Sequence, residues 1–115
     1  MSTPEISPPP LDATQVACLE RLLKAGFQFV TFEQFARYPA VEKGGFVALL
    51  DLSGGKVRQF GSVGYRVGNG IGVLIERGRS QAFVWKNEAA EATPERLAFY
   101  EAVKKELIDL LRDGA

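Results

Sequence analysis

Residues 53–86 read SGGKVRQFGSVGYRVGNGIGVLIERGRSQAFVWK. Apolar and β-branched runs of four to eight residues alternate here with glycine-containing breaks, the pattern of an antiparallel sheet joined by tight turns. Ser53-Gly54-Gly55-Lys56 is a turn, and Val57 to Phe60 follows as a strand. Gly61 and Gly64 mark a bulge or bend before Tyr65-Arg66-Val67. Asn69-Gly70 is the strongest hairpin signal, because both residues accept the positive φ that a type I′ turn requires. Ile71 to Glu76 and Gln81 to Lys86 read as two further strands across Arg77-Gly78-Arg79. Upstream, Phe46 to Leu52 is apolar at nearly every position, as expected of a central strand buried on both faces.

Helices flank this region. Asp12 caps a first helix, with Gln15 at its third position, a Leu11–Val16 staple and Gly26 as the left-handed stop. Val16, Leu19, Leu22 and Leu23 are expected to form its apolar face. Thr31 and Gln34 suggest a capping box for a short second helix, Phe32 to Tyr38, ended by Pro39. Phe27, Phe29, Phe32 and Phe35 read as core anchors between helix and sheet. Thr93 and Pro94 open a long last helix to about Leu111, with Phe99, Val103, Leu107 and Leu110 on one side. Its wide apolar arc leaves room for a second chain. The expected fold is therefore a two-layer α+β domain over residues 11–115. A four-stranded antiparallel meander is packed by two N-terminal helices and the C-terminal helix, in the order α-α-β-β-β-β-α. Residues 1–10, with Pro8-Pro9-Pro10, read as a disordered Pro-rich tail.

The chain has 115 residues, a size that buries a core without metal or disulfide staples, and a formal net charge of zero. It contains no His and one Cys, which removes the commonest general base and excludes a structural zinc site. Cys18 cannot form an internal disulfide, so a reducing, cytoplasmic compartment is expected. No apolar run is long enough to span a membrane.

Charge is segregated along the chain. Residues 53–86 carry six Lys/Arg against Glu76, a net +5, whereas residues 1–52 are net −2 and residues 87–115 net −3. Those opposite charges can pair within one chain or across a two-fold interface, so a homodimer is an expected partner.

No nucleotide-binding or cofactor motif is complete. Gly68 to Gly72 has G-x-G-x-G spacing with no helix after it, and the P-loop pattern is absent. Ser53 and Lys56 have the spacing of a serine–lysine pair, yet sit in a turn. Asp51 and Glu76 are the two carboxylates expected inside strands; they would form an acid/base pair only if adjacent on one face. Cross-strand pairing with Arg58 or Arg66 is the simpler role. No cofactor is expected. The leading functional reading is a non-catalytic binding or protein-interaction module. The alternative is an anion or single-stranded nucleic-acid binder using Arg58, Arg66, Arg77, Arg79 and Lys86, with Tyr65 and Trp85 as stacking rings. That reading requires the sheet's rings to be exposed, and Phe83 and Trp85 facing the helices would be core. A small-molecule-binding or enzymatic domain ranks third.

Overall fold

The computed structural model describes residues 11–35 and 37–112, without the side chains of Gln34, Arg77 and Arg112. The tail expected over residues 1–10 lies outside them. Among the described residues two α-helices flank seven strands in sequence: α1 (Ala13–Lys24), β1 (Gln28–Val30), β2 (Ala40–Lys43), β3 (Phe46–Asp51), β4 (Arg58–Val67), β5 (Gly70–Arg77), β6 (Ser80–Trp85), β7 (Glu88–Glu91) and α2 (Pro94–Arg112). All neighbours are antiparallel, and the spatial order is β1 to β7 without a crossover. The sheet is a curled half-barrel with two helices, which corrects the expected four-stranded, three-helix arrangement.

The corrections have local causes. The expected second helix collapses to a 3-10 turn, Glu33–Phe35, because Gln28–Val30 is already extended and paired with β2. Ala40 to Lys43 becomes a strand because Gly44 and Gly45 both adopt positive φ (61° and 88°) and close a two-residue hairpin onto Phe46. Glu88–Glu91 has weak strand propensity but pairs with β6 through the turn Lys86-Asn87, where Lys86 takes φ 53°. The β4–β5 hairpin is Gly68-Asn69, with Val67 opposite Gly70, one residue earlier than expected. Only Gly68 has the positive φ there (55°), so the type I′ requirement is not met.

α1 is capped as its sequence indicates. Asp12 Oδ1 accepts from Gln15 N (2.9 Å), and Gln15 Oε1 accepts from Asp12 N (3.1 Å). The buried face, however, is Gln15, Cys18 and Leu22, whereas Val16 and Leu23 are exposed. Gln15 turns inward because its Nε2 donates to the carbonyls of Leu52 (2.6 Å) and Lys56 (3.1 Å), tying α1 to the loop before β4. That buried amide satisfies two carbonyls that no strand partner reaches.

β3 is buried on both faces, as its unbroken apolar run implies. Phe46, Ala48 and Leu50 face α1 and α2 in the main core, with Leu22, Phe27, Phe83, Val103 and Leu107. Val47 and Leu49 face the other way, under Phe32, Phe35 and Tyr38. The centre of the main core is aromatic. Phe46 lies 4.9 Å from Tyr65, 5.7 Å from Phe83, 5.6 Å from Phe99 and 5.9 Å from Tyr100, ring centre to ring centre.

Trp85 closes the far end of this layer by lying flat over Gly70, where a Cβ would collide with its indole. Gly70→Ala is expected to displace the ring and to cost about 1–3 kcal/mol, the usual range for overpacking. A red-shifted Trp85 emission with a lowered unfolding midpoint checks it, since this is the only Trp in the chain.

Candidate functional site

The two faces of the sheet are unequally covered. The helices cover one. On the other, Val30, Phe32, Phe35 and Tyr38 roof only the β1–β3 half. The β4–β6 half of this open face leaves Phe60, Val73 and Ile75 exposed, Val73 at 62%.

A bulge is responsible for the site at its centre. Val47 pairs with Gly64 and Leu49 with Phe60, so β4 carries extra residues opposite Ala48. Gly61, at φ 75°, supplies the left-handed conformation there. The bulge bends the first half of β4 away from β5. Their ladder consequently spans only Tyr65↔Gly72, Arg66↔Ile71 and Val67↔Gly70. Beyond Tyr65 the strands diverge and leave a cleft of about 490 Å³. Phe60, Gly61, Ser62, Val63 and Gly64 form one wall, and Ile71 to Leu74 the other. Leu49 and Phe35 lie at one side, and Tyr100 of α2 lines the cleft from the helix layer. Phe60 is held in place by stacking on Tyr38, with centroids 4.2 Å apart and planes 7° from parallel. The polar side chains lining the cleft are the hydroxyls of Ser62 and Tyr100.

The structure separates the residues that the sequence groups together. Alternation places Arg58 and Arg66 on the open face, and Tyr65 and Trp85 on the helix-bearing face. Tyr65 packs between Phe46 and Phe83 and under the Arg96 guanidinium, 5.1 Å from its ring centre. Phe83 is fully buried, so it is a core ring. Lys86 sits in the β6–β7 turn, 5.3 Å above the Trp85 ring. Arg79 lies in the β5–β6 turn, and Arg77 ends β5 with its side chain outside the described set. Arg66 is already occupied. Its Nε and Nη2 donate to the two carboxylate oxygens of Glu42 (2.9 and 2.7 Å), and it lies 4.9 Å over the Phe32 ring. The Glu42 hydrogen bonds hold the Arg66 guanidinium in its charged form, raising its pKa.

No family model, curated protein or solved structure matches this chain.

Asp51 and Glu76 do not meet. Asp51 lies opposite Arg58 on the open face, whereas Glu76 lies opposite Gln81 and alternates with Val73 and Ile75, so it belongs to the other face. Asp51 Oδ1 accepts from Ser53 N (2.9 Å), and that bond, aided by the Arg58 charge, holds its carboxyl below the ordinary aspartate range. Because the folded-state pKa is depressed, the stabilising contribution is present above the unfolded value of about 3.9 and is lost as pH falls through the folded value. A carboxyl-carbon NMR titration should place the Asp51 midpoint below 3.9 by this reasoning, and Arg58→Ala should raise it only slightly, since the Ser53 amide is the main cause. Burial pushes the Cys18 thiol up against the opposing influence of Arg21, which disfavours the thiolate.

The cleft residues were missed by sequence reasoning, although one signal was present. Gly61 and Gly64 announce a bulge; that it also parts β4 from β5 follows from the register of β4 on β3, Val47↔Gly64 and Leu49↔Phe60, which the sequence does not show.

Proposed function

We infer that this domain is a non-catalytic binding module whose partner contacts the β4–β5 cleft. The observation that carries this reading is the unclosed seam itself. A sheet with this much core has no packing reason to leave about 490 Å³ open beside exposed Phe60, Val73 and Ile75. Ser62 has no side-chain base among the described cleft residues to activate it, which supports binding rather than hydrolysis. No helix among the described residues is long and apolar enough to cross a membrane, and a protein partner suits the apolar lining.

The probe that tests the reading is 8-anilinonaphthalene-1-sulfonate, whose rings match the apolar lining. Amide-shift mapping on the folded protein should place it at residues 60–64 and 71–74. Mapping to any other surface would overturn the site. Anion or single-stranded nucleic-acid binding is the competing reading. Salt-sensitive binding of a fifteen-residue oligothymidylate, with shifts at Arg58, Arg66 and Lys86, would favour it.

A further inference from the structure

Both long sides of the cleft are strand edges. Past the Tyr65↔Gly72 pair, Arg58, Gln59 and Phe60 pair only with β3, and Val73 to Arg77 pair only with β6. Alternate backbone N–H and C=O groups of Val73–Arg77 thereby lack a strand partner on the β4 side, and Val73 and Leu74 border the cleft itself. The β4 edge is broken by its bulge, and the Gly61 carbonyl already accepts from Gln59 Nε2 (3.0 Å). The β5 edge is regular, and Val73-Leu74-Ile75 carries no lysine, proline or bulge of the kind that blunts free edges.

The charge at the cleft mouth selects the ligand further. The β4–β5 hairpin closes one end; toward the other, Arg58 begins β4 two residues before Phe60, and Arg79 lies in the turn that follows β5. Neither arginine makes an ion pair within 4 Å among the described residues. Arg66, by contrast, is neutralised by Glu42.

We propose that the cleft takes an extended segment of a partner protein, which adds as a strand along Val73–Arg77. The segment places apolar side chains against Phe60 and Leu49, and acidic residues at the mouth toward Arg58 and Arg79. This proposal rests on the cleft being the binding site. Its chemistry is strand addition: main-chain hydrogen bonds supply affinity, and alternate side chains supply specificity. The chain's own residues 1–10 are a poor occupant, because Pro8-Pro9-Pro10 provides no N–H donors for a ladder.

The test is a fluorescein-labelled peptide with two aspartates followed by alternating valine and threonine, titrated against the full chain. Micromolar binding is expected, with slowed amide exchange at alternate residues of 73–77. Methylating every second peptide nitrogen should weaken binding at least about thirtyfold, because it removes the donors of one edge. Arg58→Glu combined with Arg79→Glu, or lysines in place of the aspartates, should each weaken it about tenfold. Equal binding of the methylated peptide, with shifts still mapping to the cleft, would overturn strand addition while leaving the apolar site intact. Absence of cleft shifts with the peptide and with anilinonaphthalenesulfonate alike would overturn both. Oligothymidylate displacing the peptide, self-association that buries the cleft in ultracentrifugation, or peptide binding that arises only after deletion of residues 2–10 would each assign the cleft to a different occupant and overturn the proposal.

Discussion

Phe46→Ala is expected to destabilise the domain by about 3–5 kcal/mol, a large fraction of the 5–15 kcal/mol typical of a whole domain. Phe46 is 2% exposed and touches Tyr65, Phe83, Phe99 and Tyr100, so truncation removes the common member of four ring pairs. Each aromatic pair is worth roughly 0.5–1.5 kcal/mol beyond its buried area, and the vacated space cannot collapse easily. α2 is fixed at this point by Val103 and Leu107, and β3 is held on its other face by Phe32. Thermal unfolding should drop by roughly 15 °C. Phe46→Leu, which keeps most of the volume, should cost less than about 1.5 kcal/mol. If calorimetry gave the two variants the same midpoint, the ring cluster would not be the centre of the core.

Val73→Asp is expected to weaken binding at the cleft about thirtyfold while leaving stability within about 1 kcal/mol of the parent. Val73 lines the cleft yet is mostly exposed, so little core packing is lost on substitution. The carboxylate removes apolar contact and repels an anionic or acid-bearing ligand. Phe60 would be the more obvious target, but its stacking on Tyr38 ties it to the roof of the open face. Fluorescence titration of anilinonaphthalenesulfonate alongside denaturant unfolding separates the two effects. Unchanged dye affinity in a folded Val73→Asp protein would place the binding surface elsewhere.

The elements that were legible in the sequence share one property: their signals are local. Asp12 and Gln15 cap α1 through neighbours three residues apart, Thr93 Oγ1 accepts from Arg96 N at the start of α2, and β3 is apolar because both its faces are covered. The rotation of α1 was not legible, because Gln15 looks polar until Leu52 and Lys56 present carbonyls to it from some forty residues away. β1 and β2 were hidden by Thr31 and Gln34, which imitate a capping box, and β7 by a composition, Glu-Ala-Ala-Glu, that favours helix. The Gly44-Gly45 pair is the one local signal of the β2–β3 hairpin.

The candidate site shows the same division. Basic residues on a sheet were legible, but their sorting onto opposite faces depends on register, and one shifted residue reverses it. Glu42, the partner that occupies Arg66, belongs to a strand that the sequence did not announce. The net +5 of residues 53–86 is thus partly taken up by internal pairing, as with Arg66 and Glu42. Arg58 and Arg79 make no ion pair within 4 Å among the described residues.

Amide hydrogen exchange on the ligand-free chain tests the divergence of β4 and β5 most directly. Tyr65–Val67 and Gly70–Gly72 share a ladder and should exchange slowly where they are paired. Within Val73–Arg77, every second amide should exchange fast although the residues are in a strand, because only the β6 side is bonded. Uniform protection from Val73 through Arg77 would mean that the seam is closed in solution, and would contradict both the cleft and the strand-addition site built on it.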